Sequence, residues 1–242
     1  MPNHHVYIHA LVHSVRIRQG RVWRLVAAIV GTSLLVGCSP FWNGVRERER
    51  RFAEENALER AARGDCRGAL PSLERSQATT ALGPYAASST WTRAQCLSRL
   101  GALEESKAHY RLLRDFYPAF RPERIAQELG EDTVPLTREM VELTTLGALP
   151  ELALAEPRYS ASADRSQLGG AVLVRFWVRE DGGTQDIRVL EMPHPLLASW
   201  AIEAVAGAKV TDVSTAALPR AGVRRFVFQT RRERMEASDA SD

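Results

Sequence analysis

Residues 170–190 read GAVLVRFWVREDGGTQDIRVL. Val172, Val174, Phe176 and Val178 alternate with Leu173, Arg175, Trp177 and Arg179. A period of two puts one apolar face on a β-strand. Asp181-Gly182-Gly183 follows, a hairpin turn, because glycine accepts the positive φ that tight turns require. The next strand, Thr184 to Leu190, directs Ile187 and Val189 to one face. Pro193 and Pro195 end it. Leu197, Trp200, Ala201, Ala204 and Val205 then fall at helical spacing and predict an apolar helical stripe that stops near Gly207. Val223 to Thr230 alternates again, with Phe226 and Phe228 on one side. Hairpin, helix, strand is the order of an antiparallel sheet with one packed helix.

The same region carries Pro157, Tyr159, Ala163, Gly170, Asp181-Gly182, Ala201 and Ala204 in the helix, and Phe226 to Phe228. In this order, residues 157–230 resemble the C-terminal domain of TonB, the energy transducer of outer-membrane transport. The resemblance implies a strand edge that captures an extended segment of a partner. Only backbone N–H and C=O groups are needed for that. The strand given this role is the last, through Val223, Arg224, Arg225, Phe226, Val227 and Phe228. Its two arginines guard it against promiscuous pairing. Two departures from the family stand out: Ser160 replaces the second proline of a Tyr-Pro pair, and Ala208-Lys209-Val210 replaces a Trp-x-Phe-x-Pro segment. The family's membrane-spanning anchor and long Pro-rich spacer are also missing, so the expectation is binding without energy transduction.

Upstream, the pattern turns helical. Residues 46–63 are rich in Glu, Arg and Ala, which are good helix formers. Further helices are expected at 67–77, 86–100 and 103–117, separated by Gly64, Gly83-Pro84 and Gly101 and closed by Pro118. Gly101, Ser106, Tyr110 and Pro118 resemble the second half of a tetratricopeptide repeat, and Gly64, Ala69 and Leu73 echo it. The resemblance implies paired antiparallel helices, with a small residue allowing close approach; an unrelated helical hairpin bundle is the alternative. Residues 121–156 read as a connector with short helices at 121–129 and 135–146, and 231–242 as a disordered tail of mixed charge. The fold class is therefore α+β: N-terminal helical hairpins, then a small antiparallel sheet with one helix.

The start of the chain has a different character. Arg16, Arg18, Arg21 and Arg24 precede the apolar run LVAAIVGTSLLVG at 25–37, and Cys38 follows. A mostly apolar run of thirteen residues suits a signal-peptide core better than a membrane span. Leu35-Val36-Gly37-Cys38 resembles the bacterial lipobox, which implies cleavage between Gly37 and Cys38 and acylation of Cys38. Several acyl chains anchor a protein stably. Ser39 is not the Asp that retains many lipoproteins in the inner membrane, so the outer membrane is favoured. Residues 38–45 then form a tether. Cys66 and Cys96 are the other two cysteines. In an oxidising compartment an even pair reads as a disulfide.

Composition narrows the function. Removing the four leader arginines from 32 Lys and Arg leaves 28 against 29 Asp and Glu. A body this near neutrality has no field for nucleic acid phosphates. Beyond the leader only His109 and His194 remain, and no motif places them in a catalytic or metal-binding set. No cofactor, metal or small-molecule substrate is expected. The reading is a non-enzymatic envelope lipoprotein that binds an extended segment of another protein. Its alternatives are an accessory of TonB-type transport and a structural scaffold whose helical part is the binding surface.

Overall fold

The computed structural model describes residues 44–130, 156–209 and 220–239. Gly37, Cys38 and the helix expected at 135–146 lie outside them. The chain divides into two compact units, Met1–Glu49 and Arg50–Asp242. The sheet and helices α2 to α8 belong to the second.

Eight helices and three strands occur among the described residues. Helix α1 covers 44–62, α2 Cys66–Gln77, α3 Tyr85–Arg99, α4 Leu103–Phe116 and α5 Pro122–Leu129. Gly64 and Gly101 stand at φ +82° in the α1–α2 and α3–α4 turns, a conformation other residues reach only with strain. Asp65 caps α2 by accepting from Gly68 N at 2.9 Å. Ser106 is buried against α3, and its hydroxyl donates to the Ala94 carbonyl at 2.8 Å. Beside it, Tyr110 meets Trp91 edge-on at 5.3 Å between ring centroids. The α3–α4 hairpin is thus held by a small side chain with a large one next to it. Cys66 opens α2 and Cys96 lies late in α3. Their sulfurs meet, with Cα atoms 4.9 Å apart, inside the range a disulfide needs.

Strands β1 (Gly170–Val178), β2 (Thr184–Glu191) and β3 (Arg220–Phe228) form an antiparallel sheet in the order β2-β1-β3. The turn between β1 and β2 has Gly182 at φ +76°, and Asp181 accepts from Gly183 N at 2.9 Å. Pairing of β1 with β3 is continuous from Gly170–Phe228 to Val178–Arg220. Pairing of β1 with β2 shifts twice, and at one shift Asp186 and Ile187 together face the gap between Arg175 and Trp177. Asp186 sits there at φ +50°. Asp tolerates this region better than most residues, and an unpaired extra residue is what defines a β-bulge.

Short helix α6 (Ala161–Arg165) precedes the sheet, and α7 (Pro195–Ala206) connects β2 towards β3. Ser160 caps α6 by accepting from Ala163 N at 3.3 Å. That accounts locally for a serine where a Tyr-Pro pair was expected to end. The apolar stripe predicted for α7 is broader than one face: eight apolar side chains from Leu196 to Val205 are buried, along with Ser199. A helix apolar nearly all round must be covered on several sides. The sheet's inner face (Val172, Val174, Phe176, Ile187, Val189, Phe226, Phe228) supplies one cover, and Ala108 and Leu112 of α4 belong to the same core. The two regions that the sequence separates share one interior.

One expectation is corrected. The tail at 231–242 was read as disordered, yet Arg231–Asp239 forms helix α8. Thr230 and Glu233 start it reciprocally: Thr230 N donates to Glu233 Oε2 at 2.7 Å, and Glu233 N donates to Thr230 Oγ1 at 3.2 Å. This capping box satisfies two orphan donors. Arg232 and Glu236 add an i,i+4 pair at 2.8 Å. Accordingly β3 ends at Phe228, two residues before the predicted limit, because Thr230 serves the helix.

Candidate interaction surface

The sheet has two edges, and they are treated differently. Helix α4 runs against β2. Arg111 donates to the Ile187 carbonyl and to Asp186 Oδ1, both at 3.1 Å. Asp186 N donates to Glu104 Oε2 at 3.2 Å. The bulge turns these backbone groups outward, and α4 side chains take them up. Two residues on, Arg188 grips Asp115 with two bonds of 2.8 and 3.0 Å. Asp115 has no exposed side-chain surface, so its charge depends on Arg188 and on Arg114 at 2.9 Å. A bidentate, buried pair of this kind fixes geometry as well as charge.

Two histidines extend the same seam. His109 Nδ1 faces the Glu105 carbonyl at 2.7 Å and must donate there; its Nε2 lies 3.0 Å from the Ser199 hydroxyl, which donates to the Pro195 carbonyl at 2.9 Å. Burial, with Arg93 nearby, lowers its pKa to about 3. His194 Nε2 donates to the Thr79 carbonyl at 2.9 Å, while Nδ1 accepts from Leu196 N at 3.1 Å as the N-cap of α7. Those two roles require the neutral ring, and burial lowers its pKa to about 4. Ser166 donates to the Ala78 carbonyl at 2.6 Å, and Arg158 pairs with Glu203 at 2.6 Å.

At the other edge, β3 has no neighbour beyond β1 among the described residues. The six residues named from sequence divide by face. Phe226 and Phe228 point into the core, Val223 is half-buried, and Arg224, Arg225 and Val227 are exposed, Val227 to 62%. Neither exposed guanidinium is paired within the described residues. The edge therefore offers main-chain groups flanked by two cations and two valines. Sequence reasoning missed the cover on β2. Its contacts join residues more than 70 positions apart, and only the hydrophilic α4 sequence hinted that this helix had polar work to do.

Among the described residues the sheet thus has one helix-covered face, one edge met by α4 and one edge without a neighbour. Residues 155–222 match the family model described as the Gram-negative bacterial TonB protein C-terminal. No curated protein and no solved structure matches the chain. The matched part is a TonB C-terminal-type domain, and such domains mediate protein interactions in the envelope. Among the described residues no helix is long and apolar enough to cross a membrane, and no group of His, Cys, Asp and Glu could hold a metal ion.

Proposed function

We propose that this chain is a non-enzymatic, lipid-anchored protein of the Gram-negative envelope that binds an extended segment of another envelope protein along β3. The observation that carries the reading is the contrast between an open β3 edge and a β2 edge already occupied by α4. Anchoring is through acylated Cys38, and the outer membrane is favoured by Ser39. The helical hairpins, tetratricopeptide-like in their small and aromatic positions, serve as the support that seals β2.

A photoreactive residue placed at Val227 should crosslink to an envelope protein in living cells, and one placed at Asp186 should not. Adducts only from position 186, or from neither, would overturn the reading. Cys38→Ala should leave an uncleaved or released protein, and mass spectrometry of the membrane form should find an acylated N-terminal cysteine. An unmodified Cys38 in the mature membrane form would end the anchor proposal. The protein on its own should not restore TonB-dependent uptake to cells lacking TonB.

A further inference from the structure

Arg224 and Arg225 lie at the centre of the nine-residue strand β3. They are consecutive, so they project to opposite faces of the sheet. Arg225 shares the outer face with Ala221, Val223 and Val227, opposite Leu173 of β1; Arg224 shares its side with Phe226 and Phe228 but lies beyond the core and is exposed. Other charges on the outer face are Arg175, half-buried and held over the Trp177 ring at 5.6 Å, Arg188 opposite it on β2 and paired with Asp115, and Glu191 on β2, opposite Leu173. Glu191 is two strands from Arg225, roughly 10 Å at ordinary strand spacing, too far for an ion pair. Among the described residues the edge thus keeps two unneutralised cations, one above and one below the plane.

An incoming strand alternates in the same way. Two adjacent acidic residues in it also project to opposite faces, and each meets one arginine. Residues two positions further out on the outer face meet Val223 and Val227. We propose that the β3 edge selects an extended segment of another protein with two adjacent acidic residues at its centre and apolar residues at flanking alternate positions. This rests on the reading of β3 as a partner-binding edge and adds the chemistry of the partner. A second copy of the chain is a poor occupant: full antiparallel overlap of two β3 strands places Arg224 opposite the other copy's Arg224, and like charges directly opposed destabilise a pair. A nearly neutral body likewise gives a nucleic acid little to hold.

The test titrates the intact protein with three labelled peptides, Thr-Val-Val-Asp-Glu-Val-Val-Thr, its Asn-Gln counterpart and its Lys-Lys counterpart, followed by fluorescence anisotropy. The acidic peptide should bind about two- to thirty-fold more tightly than the neutral one, from two cross-strand ion pairs. The advantage should shrink as salt is raised. The double variant Arg224→Glu, Arg225→Glu should reverse the order and prefer the Lys-Lys peptide, with an unchanged thermal midpoint confirming its fold. Equal binding of acidic and neutral peptides would overturn the acidic selection and leave strand addition standing. Binding of none of the three, with amide exchange along β3 unaltered, would overturn both. Self-association through β3 that excludes the peptides would make a second copy the occupant and refute the proposal.

Discussion

Strands β2 and β3 flank the same central strand, yet one is sealed and the other guarded. On β2 the exposed main chain is met by Arg111 and Glu104, and Asp115 locks Arg188 beside it. On β3 the protection seen among the described residues is charge, through Arg224 and Arg225. Covering an edge removes it from use, whereas charging it leaves it available to a matched partner. The difference teaches that the helical region is part of how the sheet works, since without α4 there would be two open edges.

The largest effect should come from breaking the seal. Asp115→Ala removes the bidentate partner of buried Arg188, and breaking a buried pair typically costs about 3–5 kcal/mol. Urea unfolding should register this, and light scattering should detect aggregation as β2 opens. A variant as stable as the wild type would mean that the pair does not hold α4 in place. Next is the Cys66–Cys96 pair, whose sulfurs meet between α2 and α3. Replacing both cysteines with serine should cost about 2–5 kcal/mol. Thiol labelling of native, unreduced protein should modify neither cysteine; labelling of both would show that the bridge does not form.

Acid should loosen the seam. His109 and His194 are held neutral, at about 3 and about 4, against 6.5 in the unfolded chain. Above that value they cost nothing. As pH falls from 6.5 towards 3 the unfolded chain takes up protons that the folded one refuses, so their effect is a progressive loss of stability. Glu105, raised above 4.5 by burial and by Glu203, acts in the opposite sense as pH falls towards 4.5. His194→Asn keeps an N-cap acceptor for α7 and removes the titration, so the slope of stability against pH should flatten between 6.5 and 4. An unaltered slope would assign the acid response elsewhere. The smallest effect on stability should be that of Arg225→Val, within about 0.5 kcal/mol as for exposed positions. Sedimentation should nonetheless show increased self-association, because half of the guard on β3 is gone.

Much of this was legible in the sequence where the signal is local. Alternation from Val172 to Val178, the Asp181-Gly182-Gly183 turn and the apolar run around Trp200 each specify an element within a dozen residues. Arg224 and Arg225 could be placed on an edge because the third strand is the last in chain order. Thr230 and Glu233 were equally local, a capping box that the charged composition of the tail obscured. The seam was not legible. The spacing of Asp115 and Arg188 carries no period, and Asp186 reads as a hairpin residue until its positive φ and its bonds to α4 are seen. His194, between two prolines, reads as a turn residue, though its role is to cap α7 and tie it to Thr79.

The two register shifts on β2 have a consequence for measurement by length. A strand laid against β2 would lose phase with it at Asp186 and again near Leu190, so no segment longer than a few residues could be read in step. Strand β3 has no such slip along its nine paired positions, which span roughly 30 Å at 3.3 Å per residue. It is the one unbroken ruler of the sheet. A guest strand shorter than this ruler has several positions it can occupy, and one that matches its full length, with both valines and both arginines engaged, has only one.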